Sequence, residues 1–370
     1  MSPQPQQPHS HKQLSQVILR GFKSIYSCDL KLGSLNVLIG PNGAGKSNFI
    51  SLFRMIQALL ESRFQAYVSK NGGPYALLHQ GMPRVQQIGI ELYFGQNGYL
   101  IDLEPTQDNR LMFAKESFYW QAQQRVWDVS SGHFESAAET QKGQTIIYDY
   151  TIPIMQNWRL YHFHDTGDAS VIKQQQGVND NLFLRNDGGN LAPFLYRLSL
   201  QHPQAFQAIS DTVKLVAPFF QHFILRPNPL NTNLMELEWL EAGKDVPFKA
   251  YLLSDGTLRF ICLATVLLQP EELQPETIVI DEPELGLHPY AITVLASLIK
   301  SASKKKQIII STQSTELLNE FDAEDVIVAD RQQGHTQLRR LNAEALSEWL
   351  QDYTLGELWN MNHLGGRPSR

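Results

Sequence analysis

Cysteine is nearly absent from this sequence: 370 residues carry only Cys28 and Cys262, too few and too far apart for a disulfide framework or a zinc-type ligand spacing. That pattern fits a reducing compartment, the cytoplasm, with both thiols in the core. No run of about 18 apolar residues occurs, which excludes a helical membrane span, and the N-terminus lacks the basic-then-apolar pattern of a secretion signal. Positive charge is scarce too. With 31 Lys and Arg against 37 Asp and Glu, the formal charge is −6, so no overall basic surface advertises nucleic-acid binding. The run Lys304, Lys305 and Lys306 precedes an apolar strand and reads as a solvated helix end. Sustained heptads and internal repeats are also missing, so no long coiled coil is expected. Apolar residues, at 42%, suffice to fill the cores of two or three lobes.

What is present is organised around residues 35–50, LNVLIGPNGAGKSNFI. Residues 35–39 form a short apolar run of strand formers, and Phe49, Ile50, Leu52, Phe53, Met55, Ile56, Leu59 and Leu60 recur at helical spacing. Between them lies G-x-x-x-x-G-K-S at 40–47, in the strand, glycine loop, helix context that a phosphate loop requires. In such a loop consecutive backbone N–H groups curl around an anion, with a helix N-terminus behind them. Gly43 and Gly45 permit positive φ and close approach of phosphate oxygens. Lys46 is placed to reach the β- and γ-phosphates, and the Ser47 hydroxyl to complete the shell of a Mg²⁺ ion. Asn42, Gly43, Ala44, Gly45, Lys46, Ser47 and Asn48 are the expected nucleotide contacts.

Along the chain, residues 1–14 are rich in Pro, Gln and His and read as a disordered tail. Residues 15–120 form the first half of an α/β head: strands at 17–20, 28–32 and 35–39, the loop and its helix, then a hairpin of 88–94 and 99–103 around 95–98, with 111–120 continuing the sheet. Residues 121–249, rich in Gln, Asn and aromatics with no sustained period, read as an α+β insertion. Its most regular part, 191–216, is two helices broken at His202-Pro203. Residues 250–345 return to α/β alternation, with a helix at 256–268, strands at 277–280, 308–310 and 326–329, and helices after Pro289 and at 315–321. This pattern predicts a parallel core with right-handed crossovers. Residues 346–370 are a C-terminal tail whose aromatic stretch 349–359 is expected to dock.

The second half supplies the acids. Asp281 ends a buried strand, where α/β sheets present ligand groups, and is suited to orient the Mg²⁺ shell. Glu282 beside it suits a general base or a positioner of the attacking water. Ser254, Asp255 and Gly256 open the helix at 256–268 and make a second helix N-terminus able to bind phosphate. One nucleotide does not need two such anion sites in one subunit, so the second would serve a nucleotide held by another copy. Gln313, in STQS, ends the next strand where a γ-phosphate sensor could sit. Tyr161-His162-Phe163-His164-Asp165 puts two histidines on one face if it is a strand, and hydrogen-bonded structural histidines are the favoured reading over a metal site.

Taken in order, GFKS, GPNGAGKSN, LSDGT, VIDEPELGLHP and STQS resemble the ABC-type ATPase heads of the RecF and SMC kind, closest to the small stand-alone prokaryotic RecF-like, AAA-family ATPases. The resemblance covers most of the chain. It implies an ABC-type P-loop head, a mixed sheet with a parallel core plus an antiparallel β subdomain, that binds ATP and Mg²⁺ at a head-to-tail homodimer interface. The Ser254, Asp255, Gly256 segment would touch the γ-phosphate bound by the other copy, Asp281 would be the Walker B residue and Glu282 the catalytic carboxylate. Lys23 and Ser24 lie where such heads approach the nucleotide, and residues 285–288 correspond to the loop that passes between the two paired heads. Asp255 stands in place of a signature glycine, Gln313 in place of the switch histidine, and Gln80 is the candidate for the glutamine that follows the phosphate-loop helix. Two activities follow from the resemblance: an ATPase driving conformational change in DNA repair or anti-phage defence, or a slowly hydrolysing switch that holds DNA or regulates an effector. Too little chain follows Asp330 for the nuclease domain of OLD-type relatives, so a nuclease is expected only as a separate partner.

Overall fold

The structure, a computed structural model, describes residues 12–79, 85–167 and 169–365. The chain divides into two compact units: Met1–Trp158 with Glu276–Val279 and Gln307–Arg370, and Arg159–Pro275 with Ile280–Lys306.

In the first unit the phosphate-loop strand Leu35–Ile39 is buried at all five positions, as expected of a strand covered on both faces. Gln307–Thr312 and Val326–Gln332 flank it in parallel, and His335–Arg340 returns antiparallel to the latter. Thr277–Asp281 lies beyond Gln307–Thr312 in the same sheet. A buried amide welds the N-terminal segment to this core. Gln307 donates to the carbonyls of Leu14 (2.8 Å) and Gly33 (2.9 Å), and its oxygen accepts from Leu14 N (3.1 Å) and Thr277 Oγ1 (3.2 Å). Every polar atom of that side chain is satisfied, so its burial costs little.

The antiparallel sheet runs Ile25–Lys31, Gln16–Phe22, Ile88–Phe94, Asn97–Pro105, Leu111–Trp120, Arg125–Ser130. Its hairpin is tighter than the expected loop at 95–98. Phe94 pairs with Asn97, leaving only Gly95, at φ +60°, and Gln96 to turn. A left-handed residue at the first turn position matches the twist of the flanking strands, and only glycine takes it at no steric cost.

The helix Lys46–Leu60 buries the apolar face that its spacing predicts, including Phe49, Phe53, Met55, Ile56 and Leu59. Phe53 packs 5.1 Å from the Trp158 ring and 5.8 Å from Phe49, centroid to centroid. Each such side chain contributes about 1.5–3 kcal/mol by burial, which anchors the loop from behind. The C-terminal helix Leu355–Asn360 is docked as expected. Thr354 and Glu357 close a capping box, Leu358 and Trp359 are buried, and Gly356 N donates to Asn319 Oδ1 at 2.6 Å.

The second unit is α+β. Helices Leu191–Gln201 and Pro203–Val216 meet at His202, because Pro203 has no N–H to continue the first helix but suits the first turn of the second. Helices Asp255–Leu268 and Pro289–Ser303, with two small three-stranded sheets, complete it. The architecture is thus the mixed parallel and antiparallel α/β class read from the sequence, with α+β elements between the two halves and, among the described residues, no long coiled coil. Among the described residues no helix is long and apolar enough to cross a membrane.

Candidate nucleotide-binding site

The loop at 40–47 has the backbone that anion binding demands. Gly43 and Gly45 are left-handed, at φ +79° and +104°, and Gly45 is the N-cap of Lys46–Leu60, which no side chain caps. No capping side chain at Gly45 therefore competes with a ligand for the helix start. A Cβ at Gly43 would meet nothing within 4 Å, so space stands open there. Asn42, Gly43 and Ser47 are exposed, whereas Ala44 and Lys46 are buried. The Lys46 ammonium donates to the carbonyls of Gly40 and Pro41. Cation, amides and open space fit a polyphosphate, and the hard oxygen of Ser47 fits a Mg²⁺ ion.

Distant segments hold this loop in shape. Thr336 donates from Oγ1 to the Ala44 carbonyl (2.8 Å). Its hydroxyl proton is thereby used, so Ser24 Oγ donates to Thr336 Oγ1 (2.7 Å), and Asn48 Nδ2 donates to Ser24 Oγ (2.6 Å). The result is a directed chain of hydrogen bonds in which Ser24 and Asn48 brace the loop. Lys23, at φ +49°, places its ammonium 5.5 Å from the Phe22 ring centre. Burial, and then Arg54, lower its pKa. The Lys23 carbonyl accepts from His79 Nδ1 (2.7 Å), and His79 Nε2 accepts from His335 Nδ1 (2.8 Å). Gln80 lies outside the described residues. Gln313 is exposed and follows Thr312, which pairs with Ile39. It therefore leaves the sheet at the edge from which the loop itself departs.

In the second unit Ser254 caps Asp255–Leu268, its Oγ accepting from Thr257 N at 3.1 Å. The Asp255 carboxylate is paired with the Lys173 ammonium at 3.2 Å, which offsets the charge that would oppose a phosphate. Gly256 lies against the turn at 285–288: a Cβ there would sit 2.3 Å from the Gly286 carbonyl oxygen. Arg259, one turn on, donates to the carbonyls of Phe163 (3.0 Å), His164 (2.9 Å) and Leu285 (2.8 Å). Asp281 is mostly buried, at 13% side-chain exposure. Glu282 takes φ +47° immediately before Pro283, a conformation uncommon for a residue with a Cβ and of the kind stored at functional sites.

A family model described as "AAA domain, putative AbiEii toxin, Type IV TA system" matches residues 35–319. The chain belongs to this AAA family. No curated protein matches the sequence directly. The AAA chain is similar to an SmcHead solved bound to the C-winged helix domain of ScpA, at 19% identity and a TM-score of 0.60, over 91% of this chain and 99% of that one. It is also similar to an Smc head domain with an extended coiled coil, bound to the C-terminal domain of ScpA derived from Pyrococcus furiosus. There the identity is 16% and the TM-score 0.53, over 92% of this chain and 98% of that one. The likeness is one of fold: the AAA chain shares the fold of these Smc head domains.

Sequence motifs did not point to Thr336, His79, His335, Lys173 or Arg259 of this AAA head. Each acts through a partner far away in the chain, Thr336 on Ala44 being 292 positions distant, and none stands in a motif of its own. The signal that could have marked Thr336 is faint: a hydroxyl on a strand that must pair beside the loop.

Proposed function

We propose that this protein is a Mg²⁺-dependent ATPase. Asn42 to Ser47 cradle the triphosphate, Ser47 and Asp281 hold the ion, and Glu282 takes the proton of the attacking water. Gln313 donates its amide hydrogens to the γ-phosphate. The bound ion would screen phosphate charge and fix the oxygens for in-line attack. Ser254, Asp255 and Gly256 of a second copy complete the site in a head-to-tail homodimer, and hydrolysis reopens it. The observation that carries this reading is the loop itself, with two left-handed glycines, an uncapped helix start and a buried ammonium. The setting we infer is DNA repair or anti-phage defence, with a partner protein or DNA as what the closed dimer holds.

Mass in solution, measured with and without ATP and Mg²⁺ alongside phosphate release, tests it. Lys46→Ala should lose ATP binding. Glu282→Gln should bind ATP, stop hydrolysing and accumulate as a dimer only when ATP is present. Hydrolysis at the wild-type rate in Glu282→Gln refutes the catalytic assignment, and a mass indifferent to ATP refutes the composite site.

A second reading is a slowly hydrolysing, nucleotide-gated switch that regulates a partner effector. Gln313 favours it, since an amide donates a hydrogen bond but does not titrate as the histidine of such heads does. A turnover far slower than dimer dissociation and reassembly would select the switch.

A further inference from the structure

The two histidines of the 161–165 segment converge on Asp281. Tyr161 and Phe163 are buried on one side of the segment while His162 stays exposed on the other, with His164 beside it. Their imidazoles lie 3.9 Å apart, centroid to centroid. His164 Nε2 donates to the Asp281 backbone carbonyl at 3.1 Å, and His162 Nδ1 stands 3.8 Å from Asp281 Oδ2. The segment is held at every step: His162 N donates to the Asn186 carbonyl (3.0 Å), and Arg259 takes the carbonyls of Phe163 and His164. The backbone carrying both rings is thus pinned, and the His164 ring is committed to the Asp281 main chain.

A separation of 3.8 Å is too long for a direct hydrogen bond. It brings both groups within reach of one divalent ion, since adjacent ligands about 2.1 Å from a metal lie roughly 3.0 to 3.4 Å apart and a small side-chain rotation closes the difference. Among the described residues no three His, Cys, Asp or Glu side chains converge to hold a metal. His162 and Asp281 leave the remaining positions to the Ser47 hydroxyl proposed above, phosphate oxygens and water, as in nucleotide-dependent sites generally.

The geometry points to His162 as a further protein ligand of the ion that Asp281 holds, adding one imidazole to its oxygen ligands so that the centre binds Mn²⁺ more tightly than Mg²⁺. This rests on the proposal that Asp281 is a metal ligand. Imidazole nitrogen suits the later first-row ions, whereas Mg²⁺ is a hard cation that selects oxygen. Removing His162 should therefore weaken Mn²⁺ binding by about tenfold or more and Mg²⁺ binding much less.

The full chain, loaded with ATPγS and Mn²⁺, would be studied by electron spin-echo modulation in natural-abundance and ¹⁵N-histidine forms. The expected result is nitrogen coupling at the Mn²⁺ centre that changes from ¹⁴N to ¹⁵N with histidine labelling and is absent in His162→Ala. The isotope switch in the unmutated chain shows whether a histidine is bound at all, and folded His162→Ala then assigns it. Mn²⁺ binding that Asp281→Asn abolishes, but with no histidine coupling, overturns His162 as a ligand and leaves Asp281 standing. Histidine coupling that survives in folded His162→Ala overturns the assignment as well. Mn²⁺ binding indifferent to Asp281→Asn overturns both.

Discussion

Replacing Thr336 by valine keeps the shape of a buried side chain and removes only its hydroxyl, which makes it a clean probe of what holds the phosphate loop. Two hydrogen bonds disappear, from Thr336 to the Ala44 carbonyl and from Ser24 to Thr336. Each is worth about 1 kcal/mol net, and a buried carbonyl left unpaired costs about 1–3 kcal/mol more. Because Ala44 and Thr336 are both buried, at 1% exposure, water does not readily replace the lost donor. A loss of about 3–5 kcal/mol in stability is expected from urea unfolding. If about 2 kcal/mol of that comes from the ordered loop, ATP binds roughly thirtyfold more weakly. Titration with a fluorescent ATP analogue reads the second effect. Thr336→Ser retains the hydroxyl and should stay near wild type in affinity. The reasoning fails if Thr336→Val binds nucleotide as tightly as Thr336→Ser and unfolds at the same urea concentration.

Gly256→Ala would drive a methyl group into the Gly286 carbonyl, and since the obstacle is backbone, a loss of about 1–3 kcal/mol is expected; an unchanged Tm would show that the helix start does not pack on that turn. His79 is held neutral, its pKa lowered chiefly by burial, against the raising effect of its bond to the Lys23 carbonyl. The unfolded chain therefore takes up this proton first, so the His79 contribution is intact above its ordinary pKa of 6.5 and is lost as pH falls from there through the lowered folded value. Wild type should lose more stability than His79→Phe between pH 7 and pH 5, and parallel losses would contradict this. Cys28 is pushed up to about 12, chiefly by burial, and the buried Cys262 is raised further by the same cause. Neither should react with a thiol reagent at pH 8 in the native chain, and both should react in denaturant; one fast native thiol would refute the assigned burial.

Much of this protein is legible without coordinates because its information is local. The run at 35–39 needs a buried strand, the spacing from Phe49 to Leu60 needs a helix, and Gly43 and Gly45 need positive φ, all through steric and periodic rules that act between near neighbours. Asp281 and Glu282 were legible for the same reason, as acids ending an apolar strand. The break at His202-Pro203 is likewise a property of one missing N–H.

What only the tertiary structure decided are the contacts between residues dozens to hundreds of positions apart. Thr336 braces Ala44, His79 joins Lys23 to His335, Gln307 binds Leu14, and His162 comes to face Asp281. A hydrogen bond of that span leaves no periodicity in the chain and no characteristic spacing, because its partners are chosen by strand order and register. The HFH segment shows the division well. Its alternation told which side each ring would take, and nothing but folding could bring the Asp281 carboxylate to that side.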